Sequence, residues 1–290
     1  MTGWVAIQRN PTSGSGRNRG VLLDLVRRLK EHGLRPRLFS RRERLGDVLA
    51  DPRRRDELVC VVAAGGDGTV DDVINRYPGL PMTVCPLGTE NLFAKYLGLP
   101  RDGRSVADAI AAGKTRQLDL CTLNGEQRFA IMASVGFDAD VVHRTHSRRR
   151  GNISKLSYVR PILESFAGYR YPPLRIYADD SPEPLTGGLA IVSNLPMYAM
   201  RLPFARSAVP DDGLLDVRVF ERPGRGQLLR YAWSLVRNRH ERLSHVHSFR
   251  AKRIRIEADE PVPAQADGDP AGFTPVEIRV LPAELTVIAP

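Results

Sequence analysis

The sequence predicts an α/β domain followed by an antiparallel β-sandwich, with the boundary near residue 120. Before this point, short apolar runs alternate with stretches in which apolar residues recur every three or four positions, as strands and helices do around a parallel sheet. After it, short β-branched segments of alternating polarity follow one another with turn residues between them, which is typical of an antiparallel sandwich or barrel. The 290 residues are enough for two such domains.

The elements of the first domain can be assigned in order. Predicted strands occupy residues 4–7, 37–40, 58–63 and 81–85, and predicted helices occupy residues 21–29, 43–50, 70–77, 92–97 and 105–112. Gly33 and Gly113 follow the first and the last of these helices, where a glycine favours helix termination. Strands and helices that alternate in this way predict one open parallel sheet.

The central feature of this domain is the turn Gly65, Gly66, Asp67, Gly68 and Thr69, which lies between a buried strand and an amphipathic helix. Glycines leave room for an anion beside the backbone, and the helix N-terminus offers free N–H groups with a partial positive charge. A bare carboxylate would repel phosphate, so Asp67 suits a metal ion or a hydroxyl that loses its proton. The turn therefore predicts a phosphate site, and the alternative is an ordinary tight connection from strand to helix.

Two further loops end predicted strands of the same sheet. Residues 10–16 read Asn-Pro-Thr-Ser-Gly-Ser-Gly, and residues 86–91 read Pro-Leu-Gly-Thr-Glu-Asn. The first loop is not a Walker A loop, because no Gly-Lys-Ser/Thr follows it. Since the carboxyl ends of parallel strands meet at one edge of a sheet, where ligands bind, the three loops together predict a binding site at that edge.

The second domain is predicted to be mostly strands. These occupy residues 117–123, 128–134, 174–178, 189–193, 215–220, 253–258, 276–281 and 285–288. Two helices are expected near residues 153–168 and 225–237, the first of them broken or kinked by Pro161.

Two segments of this domain place several carboxylates around a glycine. Residues 210–216 contain three aspartates around Gly213, and residues 265–269 contain two around Gly268. Oxygen-rich turns of this kind suit Mg²⁺ or Ca²⁺. For the first segment, the alternative is an Asp-Gly hairpin turn with solvated acids.

The net charge and the distribution of arginines indicate which kinds of molecule the protein could bind. The net charge of +10 fits nucleic acid, an anionic membrane surface or simply a solvated basic face, but the arginine clusters at 53–55 and 148–150 carry no interleaved aromatic residues for stacking on bases. No run of about 18 apolar residues and no basic, then apolar leader is visible, so we expect a cytoplasmic protein. The three cysteines, Cys60, Cys85 and Cys121, lie in or beside apolar runs and are expected to be buried and reduced.

The series of motifs resembles the diacylglycerol kinase catalytic-domain family, which includes bacterial soluble lipid kinases and sphingosine and ceramide kinases. The resemblance rests on residues 10–14, 65–69, 86–94, 211–217 and 266–269, in the family's order, and it covers essentially the whole chain. It implies a three-layer α/β domain similar to NAD kinase and diacylglycerol kinase over residues 1–120, and a β-sandwich domain over residues 121–290 that completes the lipid and metal sites.

The resemblance also implies roles for particular residues. ATP would be bound by Asn10, Pro11, Thr12, Ser13, Gly14, Ser40, Gly65, Gly66, Gly68, Thr69, Val70 and Thr89. The catalytic acids would be Asp67, Asp119, Asp267 and Asp269, with Asp119 ordering metal-bound waters. A structural Mg²⁺ would be held by the Asp212 side chain and the main-chain oxygens of Val209 and Leu214.

Three positions depart from the family's pattern. Asp269 stands where a glutamate is usual, so the charge is kept on a shorter side chain. Glu90 stands where glycine is common, and Leu92 replaces an aspartate that joins the magnesium network in some members. These two departures bear on which lipid is used and on the composition of the metal shell.

These features predict an ATP- and Mg²⁺-dependent kinase that phosphorylates a hydroxyl of a diacylglycerol-like or sphingoid lipid. The proton acceptor would be Asp67 or one of the pair Asp267 and Asp269, which sequence alone does not separate. We expect peripheral binding to an anionic membrane, no nucleic-acid partner, and a possible homodimer. The alternatives are a kinase of a soluble substrate, similar to NAD kinase, and a catalytically silent protein that binds nucleotide or lipid.

Overall fold

The protein was analysed as a computed structural model, which describes residues 3–9, 18–148, 155–198 and 202–290. The chain forms two compact units. The first comprises Met1–Leu118 and Ala283–Pro290, and the second comprises Asp119–Pro282. The sequence places the division at residue 120 and assigns residues 121–290 to the second domain. In the structure, the final residues 283–290 belong to the first unit.

The first unit contains a parallel sheet with helices. Its strands are β1 (Trp4–Arg9), β2 (Arg35–Phe39), β3 (Leu58–Gly65) and β4 (Met82–Pro86), and its helices are α1 (Arg19–Glu31), α2 (Arg42–Leu49), α3 (Pro52–Asp56), α4 (Asp67–Arg76), α5 (Leu92–Tyr96) and α6 (Gly103–Ala112). The strands pair in the order β2-β1-β3-β4, and all three pairings are parallel. The predicted α/β class is thus confirmed.

Burial explains why this order forms. Strand β3 is buried over its last six residues, as expected for a central strand covered on both faces. Helix α1 buries Leu22, Leu25 and Leu29, which recur at helical spacing on one side. The end of the chain also joins this unit, because Val287 pairs in parallel with Met82 of β4. Gly65 of β3 pairs with Pro86 of β4, so the carboxyl ends of these two strands lie side by side and bring their loops together.

The second unit is mostly antiparallel. Strand β5 (Thr115–Leu123) leads into it, followed by β6 (Gln127–Phe129), β7 (Met132–Gly136), α7 (Phe137–Ser147), α8 (Val159–Gly168), β8 (Leu174–Ala178), β9 (Leu185–Gly187), β10 (Leu189–Ser193), β11 (Met197–Tyr198), β12 (Leu202–Pro203), β13 (Leu215–Phe220), α9 (Arg225–Val236), β14 (Val246–Ala251), β15 (Arg253–Glu257), β16 (Pro263–Ala266), β17 (Asp269–Phe273) and β18 (Val276–Ile288). Short 3-10 turns occur at Lys155–Tyr158 and His240–Arg242.

Two layers of strands share one core in this unit. One layer has the order β14-β13-β10-β7-β16-β17, and the other runs from β18 through β15 and β8 to β9. Their inward side chains form a single buried cluster that includes Val135, Val192 and Val217 from the first layer and Leu174, Ile254 and Ile278 from the second. A core shared by two antiparallel layers is that of a β-sandwich, as predicted.

The structure corrects two of the predicted strands. Residues 128–134 do not form one strand: β6 ends at Phe129 and β7 begins at Met132. Residues 276–281 and 285–288, predicted as two strands, belong to the single strand β18. The first correction has a cause in the site described below, since consecutive N–H groups of residues 130–132 donate to a distant side chain rather than to a strand.

The helices of the second unit also differ from the prediction. Pro161 neither breaks nor kinks a helix, because α8 begins at Val159 and places this proline in the first turn, where its missing N–H costs nothing. Helix α7 was not predicted, since its sequence lacks a strong apolar periodicity and its buried residues are Ala139, Val141, Val142 and Thr145. Helix α9 was predicted, and it ends at Val236.

The cysteines are as expected. Cys60, Cys85 and Cys121 are free and buried. Burial raises the pKa of the Cys60 and Cys85 thiols to about 12, so both are protonated and unreactive at neutral pH. Among the helices of the described residues, none is long and apolar enough to cross a membrane.

Candidate functional site

The first unit brings two glycine loops into backbone contact. A Cβ atom on Gly88 would lie 2.5 Å from the Cα atom of Gly66, and one on Gly66 would lie 3.3 Å from the Cα atom of Gly88. The main-chain N–H groups of Leu87 and Gly88 both donate to the carbonyl oxygen of Gly65, at 2.8 and 3.2 Å. A side chain on Gly88 would thus force the two loops apart, and one on Gly66 would make the contact tight.

Asn91 fixes the second of these loops. Its side-chain Oδ1 accepts the Gly88 N–H at 2.9 Å, and its Nδ2 donates to the Gly88 carbonyl at 2.9 Å. The residue is buried and has a left-handed backbone with φ of 51°, which asparagine tolerates better than most residues. The backbone of Gly88 is thereby held on both sides, and the loop has one defined shape.

Asp67 connects the central turn to helix α5. Its carboxylate accepts the N–H groups of Leu92 at 3.0 Å and Phe93 at 3.1 Å, which are unpaired donors in the first turn of that helix. Burial raises the pKa of the Asp67 carboxyl, while these two hydrogen bonds and the charge of Lys95 oppose the rise. A carboxyl whose pKa is raised binds a proton more strongly than an ordinary surface aspartate, which suits a proton acceptor.

The start of α4 has the features that bind phosphate. The N–H of Thr69 donates to the Gly66 carbonyl at 2.8 Å, whereas those of Asp67 and Gly68 donate to no oxygen of the described residues. Apart from its chain neighbours and its own helix, none of the described residues has an atom within 4 Å of a Cβ built on Gly68, so these residues leave open space on this side of the backbone. Free N–H groups, the positive end of a helix and open space fit an anion such as phosphate.

The remaining predicted nucleotide residues fall into three groups. The side chains of Thr69 and Val70 are buried, so these residues contribute packing and backbone. Thr89 and Ser40 are exposed, and Ser40 lines an open hollow of about 760 Å³ together with residues of β2 and α2. Asn10, Pro11, Thr12, Ser13 and Gly14 lie outside the described residues.

In the second unit, Asp267 accepts three consecutive backbone N–H groups. These come from Ala130 at 2.8 Å, Ile131 at 2.9 Å and Met132 at 2.8 Å. Asp267 itself has a left-handed backbone with φ of 48° in the turn between β16 and β17. Both carboxylate oxygens thus accept backbone N–H groups. Because these N–H groups do not pair with a strand, β6 and β7 are separate strands.

Asp269 has a different environment two residues later. Its Oδ1 lies 3.3 Å from Nε2 of His146 on α7, and its side chain is 39% exposed. The turn between the two acids is held by Gln265, whose Oε1 accepts the Gly268 N–H at 2.8 Å and whose Nε2 donates to Ser134 at 2.9 Å. Asp269 is therefore the more accessible acid of the pair.

Asp119 is buried and holds the turn that carries Asp212. Its Oδ2 accepts the Gly213 N–H at 2.7 Å, and its own N–H donates to the Pro210 carbonyl at 2.6 Å. The negative charges of Asp119 and Asp267 both raise the pKa of Cys121, after burial as the larger cause, so the two carboxylates lie near this thiol.

Asn194 links the segments that carry these two acids. Its Nδ2 donates to the carbonyl oxygens of Asp119 at 3.0 Å and Ala130 at 2.9 Å, and its N–H donates to the Ile131 carbonyl at 2.9 Å. Nothing in its sequence context marks it, because the groups it contacts are more than 60 residues away. Asn194 thus fixes the distance between Asp119 and the N–H groups that hold Asp267.

The side chain of Arg250, from strand β14, contacts the predicted metal turn. Asp212 Oδ1 accepts the Leu214 N–H at 3.0 Å, and Oδ2 lies 3.2 Å from Nη1 of Arg250. The same guanidinium donates to the Ser207 carbonyl, and its Nε lies 3.3 Å from Oδ2 of the buried Asp216. Arg250 therefore contacts the Ser207 carbonyl and the carboxylates of Asp212 and Asp216.

The turn can be compared with what Mg²⁺ requires. Within the described residues, no group of three or more acidic, histidine or cysteine side chains is arranged to hold a metal ion. Magnesium in proteins often keeps several waters and uses only one or two carboxylates. The Asp212 carboxylate, which Arg250 contacts, and the Val209 carbonyl, which accepts the Asp212 N–H at 3.3 Å, are oxygen ligands of the kind that such an ion takes. The Mg²⁺ site at Val209, Asp212 and Leu214 stays a prediction.

Comparisons with known proteins identify the family. Residues 5–123 match the family described as the diacylglycerol kinase catalytic domain, and residues 131–289 match the YegS C-terminal NAD kinase beta sandwich-like domain. The chain belongs to the diacylglycerol kinase family. The predicted resemblance is confirmed, and with it membership in a family of kinases.

Several relatives match over most of their length. A protein named diacylglycerol kinase from Mycobacterium tuberculosis is 32% identical over 238 residues, which cover 79% of this chain and 76% of the relative. One of the same name from Staphylococcus epidermidis is 27% identical over 97% of this chain and 90% of the relative. A crystal structure of a diacylglycerol kinase from Bacillus anthracis has a TM-score of 0.71 at 19% identity, covers 99% and 97% of the two chains, and supports the fold.

Proposed function

We propose that this diacylglycerol kinase family member transfers the γ-phosphoryl group of ATP to a hydroxyl of a diacylglycerol-like or sphingoid lipid. The observation that carries the proposal is the pair of glycine loops at the start of α4. There Gly66 and Gly88 lie in backbone contact, and the N–H groups of Asp67 and Gly68 donate to no oxygen of the described residues. The relatives named above are diacylglycerol kinases, which supports a lipid as the acceptor.

When bound, ATP supplies the phosphoryl group and Mg²⁺ neutralises charge that develops during its transfer. The N–H groups of Asp67 and Gly68 would hold phosphate oxygens, as helix N-termini do. Gly65, Gly66 and Thr69 would shape this loop, and the exposed hydroxyls of Ser40 and Thr89 would add hydrogen bonds. The residues at 10–14 keep the nucleotide role that the family resemblance implies.

The four predicted catalytic acids would have two kinds of role: some would hold waters or backbone N–H groups, and one would accept the proton of the lipid hydroxyl. Asp119 would order the waters of a metal, as the family implies, from a position fixed by Gly213 and Asn194. Asp267 already accepts three N–H groups, so it suits the role of shaping its turn. The proton of the lipid hydroxyl would then go to Asp67, whose pKa is raised by burial, or to the accessible Asp269.

The direct test is incubation of the protein with γ-labelled ATP, Mg²⁺ and a panel of acceptors in mixed micelles. The panel contains diacylglycerol, monoacylglycerol, ceramide, sphingosine and phosphatidylglycerol, with NAD as the soluble alternative. We expect label in one or more of the lipids and none in NAD. Label in NAD alone would identify a kinase of a soluble substrate, and no label with any acceptor, despite ATP binding, would indicate a silent binding protein.

A further inference from the structure

Helix α9 presents an apolar stripe to solvent in the second unit. Leu229, Trp233 and Val236 are 60%, 60% and 63% exposed, and they lie four and then three residues apart on one face of the helix. The opposite face is the one that packs on the protein, through the buried residues Tyr231 and Ser234. Large apolar side chains grouped on an exposed helix face mark an interaction surface.

The charge around this stripe has one sign. Residues 223–239 contain no aspartate or glutamate, and they contain four arginines: Arg225, Arg230, Arg237 and Arg239. All four are exposed, and the guanidinium of Arg237 lies 4.5 Å from the centre of the Trp233 ring. A tryptophan flanked by arginine is well suited to the boundary between lipid headgroups and acyl chains.

A second helix extends the apolar surface. Arg225 in the first turn of α9 donates to the carbonyl of Ala167 in the last turn of α8. Helix α8 exposes Val159, Ile162 and Leu163 to solvent. Its one acid, Glu164, is neutralised by Arg148 and Arg160, so the paired charge does not offset the basic residues of α9.

We propose that α9 docks the protein on an anionic lipid bilayer, with Leu229, Trp233 and Val236 inserted at the headgroup boundary and the arginines on lipid phosphates. The apolar stripe with only basic charge around it is the pattern of an interfacial amphipathic helix. The choice of a membrane as the partner rests on the proposed lipid-kinase function. A second copy of this chain would bring the same four arginines to the contact, so repulsion between like charges would oppose it. The proposed lipid substrate favours a bilayer over an acidic protein surface.

The test uses the two tryptophans of the full chain. Trp4 is only 4% exposed, whereas Trp233 is 60% exposed, so a change in fluorescence on binding vesicles reports on α9. The protein is mixed, without ATP, with vesicles of phosphatidylglycerol and phosphatidylcholine whose acyl chains are brominated, and with vesicles of phosphatidylcholine alone. We expect quenching on the anionic vesicles, its loss in Trp233→Phe, and co-sedimentation of that variant with the vesicles.

Matched variants separate insertion from general charge. Leu229→Glu is expected to weaken co-sedimentation with anionic vesicles by about tenfold or more, because an apolar side chain that would insert into the bilayer is replaced by a charge that anionic lipid repels. Leu23→Glu is the control, since Leu23 is 52% exposed on α1 and carries the same change in charge. It is expected to leave binding within about twofold, and melting curves verify that both variants are folded.

Three results would overturn the inference. Vesicle binding without quenching of Trp233 would place the membrane contact elsewhere. Equal weakening by Leu229→Glu and Leu23→Glu would reduce the effect to net charge. Self-association in the absence of lipid that Leu229→Glu abolishes would assign the stripe to a second copy. Docking through α9 with no lipid phosphorylation would support this inference and refute the proposed function. Lipid phosphorylation without contact between α9 and the membrane would support the proposed function and refute this inference.

Discussion

Gly66 and Gly88 touch through their backbones alone, since a Cβ atom on Gly88 would lie 2.5 Å from the Cα atom of Gly66. The two residues lie in the loops that follow the neighbouring parallel strands β3 and β4, and their contact brings the loop after β4 against the central turn. Because backbone atoms cannot move aside as a flexible side chain can, this contact gives the turn at residues 65–69 its shape.

The first prediction concerns Gly88→Ala. The added methyl group would also lie 2.9 Å from Oδ1 of Asn91, so the loop must shift, and we expect a loss of about 1–3 kcal/mol in the free energy of unfolding. Gly68→Ala is the control, because no described residue beyond its chain neighbours and its own helix lies within 4 Å of its Cβ, and alanine favours a helix. Urea unfolding of both variants measures the difference, and equal stability would contradict a tight contact.

The second prediction concerns the chemistry of Asp67. Asp67→Asn retains one acceptor oxygen and cannot take a proton, so we expect turnover with the best lipid acceptor to fall by about 100-fold or more. The protein should remain folded, since one of the hydrogen bonds to Leu92 and Phe93 can still form. Turnover and circular dichroism of the variant provide the measurement, and near-normal turnover would remove Asp67 from the mechanism.

The third prediction follows from the pKa of Asp67. Burial raises this pKa in the folded state above its unfolded value of about 4, so the folded state binds the proton more tightly. The wild type should therefore gain stability relative to Asp67→Asn as the pH falls from neutrality through the folded pKa toward 4, and lose it again as the pH rises. Unfolding of both proteins across this range tests the sign. A difference that does not vary with pH would show that the pKa is not raised.

The fourth prediction separates Asp267 from Asp269. Asp267→Asn would place an amide among three N–H donors, and we expect a loss of about 2–4 kcal/mol in stability. Asp269→Asn would lose only an exposed ion pair with His146, which stabilises by about 0–1 kcal/mol. If Asp269 accepts the proton, its variant should be stable but inactive. Stability losses in the reverse order would contradict the two roles.

The fifth prediction tests the turn at Asp212. Mg²⁺ should raise the melting temperature of the wild type above its value in a chelator, because an ion that binds only the folded state stabilises it. Asp212→Ala should lose this shift, whereas Arg250→Ala should melt lower but keep it. Arg175→Ala, which removes an exposed pair with Asp259, is the control for loss of an arginine. No shift by Mg²⁺ in the wild type would contradict a structural metal at this turn.

Features that depend on neighbouring residues could be predicted from the sequence. The turn at residues 65–69 was placed correctly between a strand and a helix, because β3 is a continuous buried apolar run and α4 has its apolar residues at helical spacing. Helix α1 was likewise recognisable from Leu22, Leu25 and Leu29. The order of motifs also identified the family, and with it the candidate acids.

What those acids contact depends on how distant segments pack in the folded protein. Residues 128–134 have the composition of one strand, yet the chain breaks there because the N–H groups of residues 130–132 donate to Asp267, an acceptor 137 positions from Ala130. Arg250 meets Asp212 from 38 positions away. The physical reason is that backbone N–H groups and carboxylates pair with whatever partner the fold brings within about 3 Å. Local pattern fixes which groups need a partner, and the packing of distant strands supplies it.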